Sequence, residues 1–284
     1  MNASGETSAR LDWRGSDRTA VVRAARQAQP ESAPIVLSLH EVSAAYGERV
    51  VLRNVACSIP HGEITAILGP SGCGKSTLLR VLNRTLELIP EGRLLSGTVA
   101  FRGENLHDRG VHPAAIRKRI GLIHQRPVPF PMSLLEDVLF GARYHGLLNG
   151  AKPVEYARRY LEQVGLWNEV KDRLSERAER LSGGQQQRLC LARTLANQPE
   201  VILMDEPCSS LDPAATQQIE ALVLGLKPRY TIVIVTHNLA QARRVSDRAI
   251  FMLDGEIIEQ GSTEEIFMNP RSGLTRDFIS GQIG

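Results

Sequence analysis

Gly69-Pro70-Ser71-Gly72-Cys73-Gly74-Lys75-Ser76 fits the spacing Gly-x-x-x-x-Gly-Lys-Ser/Thr. In such a loop backbone N–H groups wrap phosphates, the lysine meets the terminal ones, and the hydroxyl holds Mg²⁺. Glycines let the backbone approach phosphate oxygens that side chains would keep away. Average composition makes a chance match in a chain of this size about a 1% event. The flanks agree with the loop. Residues 63–68 form an apolar strand feeding into it, and residues 76–83 continue as a helix.

Strand and helix alternate outward from this point. Residues 35–39 and 98–101 read as strands. Three further short runs, residues 201–204, 231–235 and 249–253, are β-branched and apolar, as buried parallel strands are. Helical spacing covers residues 133–195, with Leu189, Ala192 and Ala196 on one face, and residues 213–226. This order predicts an α/β fold with a mostly parallel sheet. Ligands of such sheets collect beyond the carboxyl ends of the strands, where Lys75, Asp205, Glu206 and His237 all fall.

A second anion device lies far downstream. Leu181-Ser182-Gly183-Gly184-Gln185 reads as a serine N-cap, two glycines and a helix start, whose bare N–H groups favour negative charge. Val201-Ile202-Leu203-Met204-Asp205-Glu206 is an apolar strand ending in two carboxylates. Asp205 is placed to reach Mg²⁺ beside Ser76, and Glu206 to act as general base on the water in line with the γ-phosphate. His237 follows a third strand, at a strand end predicted to meet the γ-phosphate. A solvated turn or a structural histidine would explain either feature alone, but not both downstream of a phosphate loop.

Composition narrows the class. The chain has 284 residues, 42% hydrophobic and 23% charged, with net charge +3, the profile of an ordinary globular protein. No basic run carries interleaved aromatics, so no nucleic-acid partner is expected. No apolar segment reaches the length of a membrane span, and the N-terminus has no apolar signal region. Cys57, Cys73, Cys190 and Cys208 follow neither metal-ligand nor disulfide-framework spacing, which fits a reducing cytoplasm. Residues 1–34, rich in Ser, Ala and Arg, are expected to be a disordered tail. An amphipathic helix around residues 18–27 is the alternative. Residues 35–284 form the remaining domain, with a helical insertion at about 126–195.

The two anion-binding stretches together resemble the ATP-binding subunits of ABC transporters. That resemblance implies a P-loop NTPase of RecA-like type, with an antiparallel β subdomain and an inserted α-helical subdomain. It also implies ATP and Mg²⁺ as cofactors. Catalytic roles are implied for Lys75, Gln125, Glu206 and His237, and metal contacts for Ser76, Gln125 and Asp205. Nucleotide contacts are implied for Tyr46, stacked on adenine, for Gly69, Pro70, Ser71, Gly72, Cys73, Gly74, Lys75, Ser76 and Thr77, and for Ser182, Gly183, Gly184 and Gln185. Asp212 belongs to the segment that crosses a dimer interface. In the family two copies pair head to tail, and each ATP lies between the Lys75 loop of one and the Ser182 helix of the other.

Several segments outside the ATP chemistry are similar to the phosphate-import branch. They include Leu82-Asn83-Arg84, Leu88-Ile89-Pro90, and Pro127-Val128-Pro129-Phe130-Pro131-Met132-Ser133. This implies an ATPase on the cytoplasmic face of the membrane, peripheral, working with two permease subunits and an extracytoplasmic phosphate-binding protein. The Pro-rich stretch is where permease helices would dock. Other oxyanions such as molybdate or tungstate, polar amino acids, and a non-transport ABC ATPase are the competing readings. The last usually carries two fused units or a coiled coil, neither of which is present here. His124, Cys208 and Ser210 depart from the commoner Phe, Thr and Ala of the family. Cys73 is either an oxidisable thiol or simply a small residue that fits.

Overall fold

The computed structural model describes residues 34–283. The expected tail, and the helix considered at residues 18–27, lie outside the described residues. Only Pro34 of that stretch is included, and its carbonyl accepts the His61 N–H at 2.8 Å.

Two sheets build the molecule. The larger has six strands in the order β10 (Glu256–Ser262), β9 (Arg248–Leu253), β3 (Ile64–Leu68), β8 (Thr231–Val235), β7 (Val201–Asp205) and β6 (Ile120–Ile123). All neighbours in it are parallel except the β10–β9 pair. Its central strands are mostly apolar because both faces are covered. Side chains alternate between the faces, so Ile232 and Ile234 enter one core while Val233 and Val235 enter the other. Residues 202 and 204 divide from 201 and 203 in the same way.

The smaller sheet is antiparallel, in the order β2 (Arg49–Pro60), β1 (Ile35–Tyr46), β4 (Gly92–Phe101) and β5 (Glu104–Asn105). The strand expected at residues 35–39 therefore runs on to Tyr46 and turns back through Gly47. β2 escaped sequence reading for a physical reason. Its pairing with β1 shifts register between the Val42–Val55 and Ala44–Leu52 pairs, and Asn54 takes a positive φ of 50°. Leu52 and Val55 both point inward although they are three residues apart, which breaks the period-two pattern.

The second core lies between the sheets and includes Leu78, Leu79 and Leu82 of the helix Lys75–Leu82. The first lies on the opposite face of the larger sheet, under the helices Leu134–Tyr144, Pro153–Gln163, Trp167–Val170 and Gly183–Ala196. Leu189, Ala192 and Ala196 are fully buried there, as their spacing predicts. Among the described residues no helix is long and apolar enough to cross a membrane.

Candidate active site

The loop of residues 69–74 joins β3 to the helix Lys75–Leu82. Gly69 has φ 149°, and a Cβ there would run into the Met252 carbonyl and stand 2.8 Å from Cys73 Sγ. Gly74 has φ 108°, and its Cβ would stand 2.9 Å from Leu52 Cδ2. These two glycines are required by the protein's own backbone. Gly72 is likewise held at a positive φ of 81°, but a Cβ there would meet nothing within 4 Å, which leaves an open approach for a ligand. Lys75 is only 5% exposed, and its Nζ donates to the carbonyls of Gly69 at 2.7 Å and Pro70 at 2.9 Å. Burial pushes the Cys73 thiol above its ordinary range, against the pull of Lys75.

Tyr46 ends β1 half-buried. Its hydroxyl accepts from Arg80 at 3.1 Å and stands 3.4 Å from Thr77 Oγ1, which ties the ring to the helix that follows the loop.

Four parallel strand ends converge, because β3, β8, β7 and β6 are successive neighbours. Ser76 donates its hydroxyl to Asp205 Oδ1 at 2.9 Å. Burial raises the Asp205 pKa, the Ser76 hydrogen bond lowers it, and the nearby charge of Glu206 raises it. A hydroxyl and a carboxylate side by side are hard oxygen donors of the kind Mg²⁺ takes when phosphate oxygens complete its shell. The described residues contain no cluster of three or more His, Cys, Asp or Glu able to hold a metal without such help.

Glu206 leaves the strand in a left-handed conformation, φ 45°, while its N–H still donates to Val235 O at 2.9 Å. A non-glycine residue in that region is uncommon and carries strain. The turn aims the carboxylate between two neighbours. Gln125 Nε2 donates to Glu206 Oε2 at 3.2 Å, and His237 Nδ1 stands 3.1 Å from the same oxygen. Glu206 is mostly covered, whereas His237 is exposed. Gln125 is thus placed at Glu206, and Ser76 and Asp205 at each other. Beside them, burial lowers the His124 pKa further below neutrality than the opposing pull of Asp205 raises it.

Ser182 caps the helix Gly183–Ala196 in a reciprocal box. Its Oγ accepts the Gln185 N–H at 3.4 Å, and Gln185 Oε1 accepts the Ser182 N–H at 3.1 Å. Gly184 faces Ala215, 3.2 Å from where its Cβ would be. Asp212 caps the helix Pro213–Leu226, accepting the Ala215 N–H at 2.9 Å. No hydrogen bond among the described residues joins residues 69–76 to 182–185. Within one chain the two anion devices are separate.

Sequence reading missed a network under the Pro-rich stretch. Asp137, fully buried, accepts two bonds from Arg193 at 3.1 Å and the Phe130 N–H at 2.6 Å. Arg193 also donates to Val128 O and lies over the Phe130 ring, 4.0 Å from its centroid. Val128, Phe140 and Tyr144 are exposed nearby, 56%, 52% and 76%. A lone Asp or Arg in a helical repeat gives no sequence signal for a partner 56 residues away.

Fold and site together define a phosphate-loop ATPase with a second capped helix start at Ser182. The chain belongs to the ABC transporter family, whose profile matches residues 52–209. It is 47% identical over 249 residues to the phosphate import ATP-binding protein PstB of Thermotoga maritima, covering 88% of this chain and 99% of that one. It is 48% identical to the PstB of Shewanella denitrificans over 87% of this chain and 91% of that one. With PstB 2 of Shouchella clausii it shares 47% over 94% of this chain and 97% of that one. The fold is also that of a bacterial Atm1-family ABC exporter solved with ATP bound. There the TM-score is 0.74 at 23% identity, over 91% of this chain and 45% of that one.

Proposed function

We propose that this chain is the ATP-hydrolysing subunit of an importer of inorganic phosphate, working as a head-to-tail pair beneath two permease subunits fed by an extracytoplasmic phosphate-binding protein. The enzyme class follows from the family. Phosphate as cargo is supported by relatives that carry that name and match at close to half of all positions along nearly their whole length. The observation that carries the chemistry is the convergence of Gln125 and His237 on one oxygen of Glu206, next to the Ser76–Asp205 pair.

In this mechanism Lys75 exchanges its bonds to the Gly69 and Pro70 carbonyls for the β- and γ-phosphates of ATP, a trade of neutral acceptors for anionic ones that keeps a buried ammonium satisfied. Ser76 and Asp205 would hold Mg²⁺, which would supply neutralising charge to the phosphate oxygens. Glu206 Oε2 takes a proton from the attacking water. His237 steadies that water and the transferred phosphoryl group, and Gln125 orients the carboxylate. Tyr46 offers its ring to adenine. Ser182, Gly183, Gly184 and Gln185 close on the γ-phosphate held by the partner copy, and Asp212 lies in the segment between them. ATP favours the closed pair because only that state surrounds it from both sides.

The exposed Val128, Phe140 and Tyr144 beside the pinned Pro-rich stretch supply the apolar surface for a permease segment. Such docking places the chain at the cytoplasmic face of the membrane. The test is phosphate uptake at low concentration in cells carrying the wild-type chain or Glu206→Gln, with molybdate, tungstate and amino acids in parallel. Selective loss of phosphate uptake is expected. Loss of a different cargo would reassign the importer, and no transport defect would remove it from transport altogether.

A further inference from the structure

Glu169, in the short helix Trp167–Val170, has no part in the mechanism above, yet it is heavily engaged beside the second anion device. Its Oε2 accepts from Gln185 Nε2 at 2.8 Å and from Arg188 at 3.1 Å, and its Oε1 accepts from Arg188 at 2.7 Å. Those contacts, the Arg188 bond first among the hydrogen bonds, hold its carboxyl below the usual glutamate range. Arg188 is itself nearly buried and donates to Gly165 O at 2.9 Å.

A glutamine amide can present either end. An ionised carboxylate accepts only, so Glu169 forces Gln185 to turn its NH₂ inward and its Oε1 toward the Ser182 N–H. Ser182 Oγ in turn takes the Gln185 N–H. Two of the four bare donors at the helix start are thereby occupied, and the N–H groups of Gly183 and Gly184 are left to face a ligand. We infer that Glu169 is a positioning residue: through Gln185, backed by Arg188, it sets the orientation in which the Ser182-Gly183-Gly184 turn meets the ATP of a partner copy. The inference rests on the head-to-tail reading under Proposed function.

A residue that merely ties two helices together would affect folding, and it would leave the ATP requirement for pairing alone. The decisive experiment uses the full chain in the Glu206→Gln background, where hydrolysis does not drain the closed pair. ATP-driven dimer formation is followed by size-exclusion chromatography across a range of ATP concentrations with Mg²⁺. Equilibrium binding of a fluorescent ATP analogue reports on the Lys75 site of the monomer, and thermal melting reports on the fold. Adding Glu169→Ala should raise the ATP concentration for half-dimerisation by about tenfold, as loss of a charge-assisted contact implies. Monomer nucleotide affinity should stay within about twofold of the parent. Glu169→Gln, which keeps an acceptor for Gln185 without the charge, should fall between.

Dimerisation of the Glu169→Ala protein at the parental ATP concentration would overturn the inference. So would a parallel loss of nucleotide binding or of cooperative melting, which would assign Glu169 to structure alone. If the Glu206→Gln parent itself does not pair with ATP, the head-to-tail reading fails, and the inference falls with it. The parent therefore separates the two failures.

Discussion

His237 Nδ1 stands 3.1 Å from Glu206 Oε2, joining residues at the carboxyl ends of the adjacent strands β8 and β7. Gln125, two residues past the strand on the other side of β7, reaches the same oxygen. Under the proposed mechanism, a carboxylate held this way has its proton-accepting oxygen fixed before substrate arrives. Glu206→Gln should therefore cut kcat by about 100-fold or more while leaving the KM for ATP near its original value. His237→Ala should lose about 100-fold as well. Steady-state phosphate release checks both, and near-normal turnover in either variant would remove that residue from the role.

Among the described residues no hydrogen bond joins residues 69–76 to 182–185, and the proposed head-to-tail pairing assembles each site from two copies. Mixing Ser182→Arg with Lys75→Ala subunits places both lesions in one composite site and leaves the other intact. ATPase activity should recover in the mixture, to roughly half of wild type per mixed dimer if sites act independently, although each variant alone is inactive. An inactive mixture would count against the arrangement.

Cys57 sits fully inside the core between the sheets, and burial pushes its thiol from the ordinary 9.0 up to about 12. Between those values the folded chain keeps a proton that the unfolded chain has released. Stability is thus complete below about pH 9 and falls as pH rises toward 12, with a slope of up to about 1.4 kcal/mol per pH unit from this group. Urea denaturation from pH 8 to 11 should show the fall, and Cys57→Ala should make it shallower. Equal slopes in the two proteins would refute the assignment.

Arg193 is the partner of the buried Asp137 and also grips the Val128–Phe130 segment. Burial pushes the Asp137 carboxyl up, and Arg193 is the first counterweight. Arg193→Ala leaves that carboxyl uncompensated and should cost about 3 kcal/mol of stability. It should also free the Pro-rich stretch, so that phosphate uptake falls further than basal ATPase activity does. Chemical denaturation and paired uptake and ATPase assays at a temperature where the variant is folded measure the two effects.

Much of the fold was legible because its signals are local. The loop of residues 69–76 needs a fixed spacing. The runs at 201–204 and 232–235 declare themselves as unbroken apolar stretches, since helices and a second sheet cover both faces. The helix Pro213–Leu226 carries Asp212 as its cap and proline at its first position, and sequence reading gave its bounds as observed. β2 was not legible, because a shift in pairing to β1 spoils its alternation. Nor was β6, four residues long beside a helix, although it brings Gln125 to the site.

For the site, sequence determined which residue types stand at strand ends and helix caps, because those depend on neighbours a few positions away. It could not determine that Glu206 turns through a positive φ to meet Gln125 and His237, that Gly69 is dictated by the Met252 carbonyl, or that Glu169 steers Gln185. Each of these is a contact between segments distant in the chain. The stacking order of β8, β7 and β6, fixed by burial of two cores at once, brings the first within hydrogen-bond reach, β9 beside β3 makes the second, and packing of the helices Trp167–Val170 and Gly183–Ala196 makes the third.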